Sequence, residues 1–416
     1  MADVAENLWT AHPTHTLRAG TDFDLAAFDR NGTPGWAGDK RQAKAFMAQR
    51  GKLLSELQER LFADGRTGGD RSVLLVVQGL DTAGKGGIVR HVLGMVDPQG
   101  VSLRSFGVPT AEEKRHHYLW RIRRALPEAG RIGVFDRSHY EDVLVVRVED
   151  LVDEDVWSGR FDEINRFEQK LADSGTTIIK VALMVSYEEQ GLRLMERLDR
   201  PDKYWKFNPG DVDTRKSWDA YQAAYSDVFA RTSTDVAPWH VIPADRKWYS
   251  RLAVTELLTK ALVDLDLDWP RPRWKVETQK RRLAATMSEA SVAEAEASAG
   301  QTLAEVRAAE AQFDAAVARA AALAQRPPAQ TPAAASGDRP GPTDETVKDE
   351  VSTKDRADDA DQTAAGDGRR QAQKRPKAKK SADGQKAKKG KDRRRSKKGE
   401  KAAKTKKGKK KASVGR

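Results

Sequence analysis

The side chains best suited to chemistry lie in and just beyond the stretch GLDTAGKGG, residues 79–87. It holds the pattern G-x-x-x-x-G-K. In that pattern a Gly-rich turn aims backbone N–H groups at an anion and a lysine reaches across the phosphates. Gly79, Ala83, Gly84, Gly86 and Gly87 supply the turn and Lys85 the cation. The position after the lysine normally carries Ser or Thr, whose hydroxyl binds Mg²⁺; here it is Gly86. The bland alternative is a tight strand-to-helix turn that binds nothing.

Mg²⁺ is a hard cation and takes oxygen, typically one or two carboxylates plus phosphate oxygens. Asp81 lies inside the loop, and Asp136 ends the apolar run in VFD. Both would sit at the carboxyl edge of the predicted sheet, where open α/β folds bind ligands. They are therefore candidate Mg²⁺ ligands in place of the missing hydroxyl. A base role for Asp81 is secondary, because an attacking phosphate is already anionic near neutral pH. Asp81 could instead stabilise an Asx turn, and Asp136 could cap a helix.

Arg137 follows Asp136 and is placed to touch a phosphate. Further on, Arg193, Arg197 and Arg200 recur at steps of four and three, roughly one helix face. Lys203 and Lys206 follow in a segment broken by Pro201 and Pro209. A basic helix and loop over about residues 187–215 predict a lid that closes on phosphates and excludes water. The competing reading is a solvated face paired with Glu196 and Asp199. Arg121, Arg123 and Arg124 form another cluster, readable equally as surface charge. His116, His117 and His139 lack convincing metal-site spacing. Tyr204, Trp205 and Trp218 read better as packing than as a base platform.

Positioning these groups requires an α/β frame. SVLLVVQ (72–78) is an apolar run ended by Gly79, as expected of a buried parallel strand. VSLRSFG (101–107), RIGVFDRS (131–138), TTIIKVALMVS (176–186) and WHVIPAD (239–245) predict four more strands. Helices are predicted at 38–64, from Lys85, at 111–126, at 161–175, at 188–198 and from about 248 to 265. Strands alternating with helices imply a parallel sheet covered on both faces. Residues 1–36 read as an irregular arm. Residues 286–326 are Ala-rich with a thin apolar seam, which predicts a helix and leaves a coiled coil or a dock onto the core open. Residues 327–368 are rich in Pro, Ala, Ser and acids and are expected to be disordered.

The net charge of +12 belongs to the end of the chain. Residues 369–416 carry about 24 Lys and Arg against about 3 acids, roughly +21, which leaves about −9 for residues 1–368. Such a tail cannot bury enough apolar surface to order itself. It can bind any polyanion, including DNA, by counterion release. The chain has no Cys, which excludes disulfides and cysteine metal sites. No apolar run approaches a membrane span of roughly 18–20 residues, and the N-terminus does not read as a secretory signal. A cytoplasmic chain without membrane contact is expected.

Five stretches in order, GLDTAGKGG, PTAEEKRHHYLWR (109–121), FDRSHYEDVLVVRV (135–148), ERLDRPDKYWKF (196–207) and TSTDVAPWHVIPADRKWY (232–249), closely resemble the polyphosphate kinase 2 family over roughly residues 15–270. The resemblance implies a P-loop kinase-like fold, a parallel sheet sandwiched by helices with a helical lid. Residues 37–285 would be its catalytic domain. It also implies phosphoryl transfer between inorganic polyphosphate and nucleotides (ADP, AMP, ATP) with Mg²⁺. By the same resemblance Asp81 and Asp136 correspond to two metal-linked catalytic acids, Lys85 to the loop lysine, and Arg137 to the arginine after the second acid. Arg193, Arg197, Lys203 and Lys206 correspond to lid cations that hold phosphates. SHYEDVLVVRV is the pattern of a subgroup that often uses AMP as well as ADP. Gly107, His117 and Arg200 depart from the family pattern and bear on nucleotide preference. A homo-oligomer is expected. The alternatives are an ATP-dependent nucleotide kinase of the same fold and a polyanion-binding protein acting through its tail.

Overall fold

A computed structural model describes residues 7–325. The tail expected over 327–416 lies outside the described residues. Five parallel strands form one sheet: β1 Ser72–Gln78, β2 Val101–Ser105, β3 Ile132–Asp136, β4 Thr176–Met184 and β5 Trp239–Pro243, in the order β2-β3-β1-β4-β5. Every residue of β1 is buried, as a central strand between two helical layers must be. Strand order reverses beside β1, and this is where an open α/β sheet forms its ligand crevice. The register places Asp136 opposite Val77 at the carboxyl edge.

The principal helices are α1 Lys40–Thr67, α2 Lys85–His91, α3 Glu154–Asp173, α4 Tyr187–Asp199, α5 Gly210–Lys216, α6 Trp218–Thr232, α7 Lys247–Asp264 and α8 Glu289–Ala324. The pleat sends alternate strand residues to two cores. Val73, Leu75, Val77, Val181 and Leu183 pack with α1 and α7. Leu74, Val76, Phe135, Ala182 and Trp239 pack with α3 and α6. The α1 start is fixed by a reciprocal cap, in which Gln42 N donates to Asp39 Oδ1 at 2.7 Å and Asp39 N donates to Gln42 Oε1 at 2.9 Å.

The structure departs from expectation at two helices and adds a contact to the N-terminal arm. The helix expected over 111–126 is only a 3₁₀ turn at Glu113–Arg115 and a short helix at Leu119–Arg123. Its first half has no apolar face to bury, since the buried residues begin at Leu119. Helix α6 was not predicted, although Tyr221, Ala224, Tyr225, Val228 and Phe229 recur at helical spacing and all are buried. The irregular segment before α1 lies against the sheet. Ala19 N donates to Trp239 O and Val241 N donates to Leu17 O, so residues 17–19 cover the free edge of β5.

The Ala-rich helix α8 docks through its C-terminal half. Ala320 and Leu323 enter the core. Glu310 receives Arg60 Nη2 at 2.9 Å and Trp269 Nε1 at 3.1 Å, while the Arg60 guanidinium lies 3.6 Å from the Phe313 ring centroid. Among the described residues no helix is long and apolar enough to cross a membrane.

Candidate active site

The loop after β1 needs glycine at its first position. Gly79 has φ 149°, and a Cβ there would stand 2.7 Å from Leu183 O. Gly84 has φ 114° and forms the entry to α2. Gly86 is different: a Cβ there would meet nothing within 4 Å. Space therefore does not explain the missing hydroxyl. Gly87 is likewise only in ordinary contact range of Arg251, and Ala83 is buried.

Lys85, Asp81, Asp136 and Arg137 come together at the carboxyl edge of β1 and β3. Lys85 is buried; its Nζ donates to Gly79 O at 2.6 Å and Leu80 O at 3.2 Å, and stands 3.9 Å from Asp81 Oδ1. Burial lowers the Lys85 pKa, and the charges of Asp81 and Asp136 oppose that. Arg137 donates from Nη2 to Asp81 Oδ1 at 2.8 Å. Its own backbone is in the left-handed region, φ 64°, anchored by Arg137 N donating to Val77 O at 3.0 Å. Such a conformation in a non-glycine residue is a local strain that surrounding contacts must hold. Burial alone would raise the Asp81 pKa, but Lys85 and Arg137 hold it below the usual carboxylate range. Burial works against the Arg137 charge, and Glu141, Asp81 and Asp136 push its pKa up past its usual value.

The donor set fits Mg²⁺. Arg137 occupies Asp81 Oδ1 and leaves Oδ2 without a hydrogen bond among the described residues. Asp136 is half-buried at the strand end. No group of three or more His, Cys, Asp or Glu able to hold a metal occurs among the described residues. Two carboxylates with open positions suit a cation that keeps waters and binds substrate phosphates.

The residues expected to form a lid separate into two kinds. Arg193, expected to face phosphates, is buried, and its donors are spent on protein. Nη1 donates to Thr82 O at 2.9 Å, Nη2 to Ala244 O at 2.7 Å and Asp245 O at 2.8 Å, and Nε to Glu189 Oε1 at 2.8 Å. The reason is position: Arg193 lies on the inner face of α4, directly over the loop. Gln190, one turn earlier, donates from Nε2 to Asp81 O at 3.2 Å. The two side chains clamp consecutive loop carbonyls and hold Thr82 at φ 68°. Arg197 is part-exposed, donates to Lys206 O at 2.9 Å and Asp211 Oδ2 at 3.3 Å, and contributes to lowering the Asp81 pKa. Lys203 and Lys206 lie on the turn Pro201–Lys206, with Lys206 Nζ 5.1 Å from the Trp205 ring centroid. Arg200 pairs with Glu196 and Asp202 at 3.2 and 2.9 Å, so its charge is met within the lid. Trp205 is 78% exposed, so it is not packing; Trp218 packs edge-on against Tyr187.

Sequence reasoning passed over Glu141, Asp211, Tyr221 and Tyr225. They line a cavity of about 360 Å³ that also touches Gly79, Asp81 and Arg137. Burial pushes the Glu141 carboxyl up, against Arg137 and a 3.0 Å bond from Gln78 Nε2. The signal for the two tyrosines was their four-residue spacing in the unpredicted α6; Glu141 gave none beyond its place in the quoted DRSHYED run.

The loop's support is a buried polar network. Lys180 of β4 donates from Nζ to Glu168 Oε2, Tyr140 OH and Thr232 O, each at 2.7 Å, and Tyr140 OH donates to Glu168 Oε1 at 2.8 Å. This ties the segment following Arg137 to β4, α3 and α6.

Comparison with known proteins identifies the family. A family model described as polyphosphate kinase 2 matches residues 37–268. An AMP/ADP-polyphosphate phosphotransferase of Meiothermus ruber is 46% identical over 250 residues, covering 60% of this chain and 92% of that protein. An ADP-polyphosphate phosphotransferase of Rhodopseudomonas palustris is 41% identical over 229 residues, covering 52% and 78%. The crystal structure of polyphosphate kinase 2 from Arthrobacter aurescens superposes with a TM-score of 0.66 at 49% identity, covering 68% of this chain and all of that one. With more than half of its length matched by the family model and the five-stranded parallel sheet flanked by helices in place, the chain belongs to the polyphosphate kinase 2 family.

Proposed function

We propose that the chain transfers phosphoryl groups between inorganic polyphosphate and ADP or AMP. The observation that carries this is the convergence of Lys85, Asp81, Asp136 and Arg137 under the lid helix of a polyphosphate kinase 2 fold. An oxygen of the nucleotide's terminal phosphate attacks the end phosphorus of the polymer. The P–O–P bond behind that phosphorus breaks, and the shortened polymer leaves with the bridging oxygen and its electron pair. There is little covalent work for the protein, so positioning and charge neutralisation carry the rate.

The loop amides and Lys85 hold a phosphate group. Asp81 and Asp136 would hold Mg²⁺, which when bound supplies neutralising charge to the phosphate oxygens. Arg137, kept cationic by its acidic neighbours, faces the transferring group. Arg197, Lys203 and Lys206 add cationic charge from the lid, and Arg193 and Gln190 position the loop. ADP or AMP as substrate, with Mg²⁺ as cofactor, fits a cytoplasmic enzyme. The basic segment 369–416 is proposed to tether polyanions, and a homo-oligomer is the proposed assembly. Asp81→Asn and Asp136→Asn should each lower turnover at least about 100-fold at saturating substrates, with the unfolding midpoint and the Mg²⁺ concentration for half-maximal activity measured alongside. Near-full activity in either variant would sink the metal-holding role.

A further inference from the structure

The basic cluster at residues 121–124 plays no part in the reaction above. Arg121 and Arg124 line a cavity of about 560 Å³ on the outer edge of the sheet, together with Arg104 and Arg131. The strand register fixes its course. Ser105 lies opposite Asp136, Arg104 opposite Phe135, and Arg131 immediately precedes Ile132, which lies opposite Val101. At roughly 3.3 Å per residue, Arg104 and Arg131 are about 13 Å apart along the strand direction. The groove therefore starts one residue from the strand end that carries Asp136 and runs away from it.

Protein carboxylates neutralise this groove only in part: four arginines face two lining acids, and Asp142 Oδ2 stands 3.7 Å from Arg121 Nη2. Of its two acids, Glu113 accepts from Thr110 N at 2.8 Å and reaches Arg104 and Arg121 only at 3.8 and 4.0 Å. Glu128 is exposed, and its 3.4 Å contact with Arg131 is a surface pair of small worth. Arg124 has no hydrogen-bond acceptor or carboxylate partner for its side chain among the described residues. It is held instead by the ring of Trp120, 4.8 Å from its centroid, and His116 stacks on that ring at 4.1 Å with the planes 9° apart. Stacking fixes a guanidinium without consuming its five donors. Because the Trp120 ring is already engaged by His116 and Arg124, the cavity offers guanidinium groups for phosphate rather than a platform for a base.

We propose that this groove is a second phosphate-chain site, an exosite that grips the distal part of the polyphosphate polymer while its end reacts beside Lys85. The proposal rests on the polyphosphate reading of the active site. A linear spread of arginines leading away from the reaction centre suits an extended polyanion. The phosphate tail of a free nucleotide shares the same chemistry, and the test separates the two.

The test uses the full chain carrying Arg104→Ala, Arg124→Ala and Arg131→Ala together, with Arg124→Ala alone as the milder variant. Arg121 is left intact because it is buried and donates to Gly107 O at 2.8 Å. Direct titration with long-chain polyphosphate should weaken about tenfold in the triple variant, and the slope of log affinity against log salt should fall by about two for three lost phosphate contacts. In steady-state assays KM for the long polymer should rise by a similar factor with kcat unchanged. KM values for tripolyphosphate, too short to reach the groove, and for ADP should not move. Unchanged affinity for the long polymer overturns the proposal. An equal loss for tripolyphosphate also overturns it, because the arginines would then serve the reaction centre. A selective rise in the nucleotide KM would assign the groove to nucleotide phosphates instead. If the chain showed no polyphosphate-dependent turnover at all, the reading of the active site would fail, while the titration would still decide the groove.

Discussion

Arg193→Ala separates a loop clamp from a phosphate contact. The side chain is 6% exposed and makes four charge-assisted bonds, three of them to the backbone carbonyls of Thr82, Ala244 and Asp245. Truncation strands those carbonyls in a dry place. A hydrogen bond to a charged group contributes about 1.5–3 kcal/mol, but the three share one guanidinium, so the total is about 3–5 kcal/mol rather than their sum. With unfolding entropy near 2.1 cal/mol/K per residue, a unit of this size loses about 1.5 °C per kcal/mol, so Tm falls by about 5–8 °C. Turnover should fall too, since Thr82 at φ 68° loses its restraint. Lys206→Ala on the exposed lid turn provides the contrast, with Tm unchanged and KM for polyphosphate raised. Thermal and urea unfolding next to steady-state kinetics read both. A variant lacking Arg193 that keeps its Tm within about 1 °C and shows only a raised polyphosphate KM would refute the clamp and restore the phosphate contact.

The same reasoning gives three further outcomes. Gly79→Ala, with a Cβ 2.7 Å from Leu183 O at φ 149°, should cost about 2–3 kcal/mol and most activity, whereas Gly86→Ser, which meets nothing within 4 Å, should fold with unchanged or slightly higher Tm and stay active. Lys180→Met leaves Glu168 charged and buried, so it should destabilise by about 3–5 kcal/mol; adding Glu168→Gln should recover at least about 1 kcal/mol in a double-mutant cycle read by urea unfolding. Burial lowers His12 to about 3 and His240 to about 4. The unfolded chain therefore takes up protons first. Stability is full above about pH 6.5 and drains as the pH falls toward 4, with each histidine costing about 2 kcal/mol at pH 5, measurable as a drop in urea midpoint between pH 7 and 5.

What the sequence made legible was whatever had a local signature. The strand SVLLVVQ, the glycines after it and the lysine that opens α2 announce a strand–turn–helix, because a parallel strand, a left-handed turn and a helix start each demand particular residue types. Asp81 was a candidate from its place inside the loop, and Asp136 and Arg137 from theirs at the end of β3. Arg193 and Arg197 could not be told apart, because periodicity says which residues share a helix face but not whether that face lies on a carbonyl or on solvent. The over-long helix at 111–126 came from charged, helix-tolerant residues with nothing to bury. Helix α6 is the opposite case: its tyrosines and phenylalanine carry a clear helical period. Arg124 looked like its charged neighbours, and only the geometry shows that Arg121 is spent on Gly107 O while Arg124 rests on Trp120 with its donors open.

The central claim is the identity of the phosphoryl donor. The purified full chain, with Mg²⁺ and either ADP or AMP, should be supplied with long-chain polyphosphate in one arm and ATP in the other, and nucleotide products quantified by chromatography. Polyphosphate should convert ADP to ATP or AMP to ADP, and ATP as sole donor should leave AMP unphosphorylated. Phosphorylation driven by ATP with polyphosphate inert would contradict the account and place the chain among ATP-dependent nucleotide kinases.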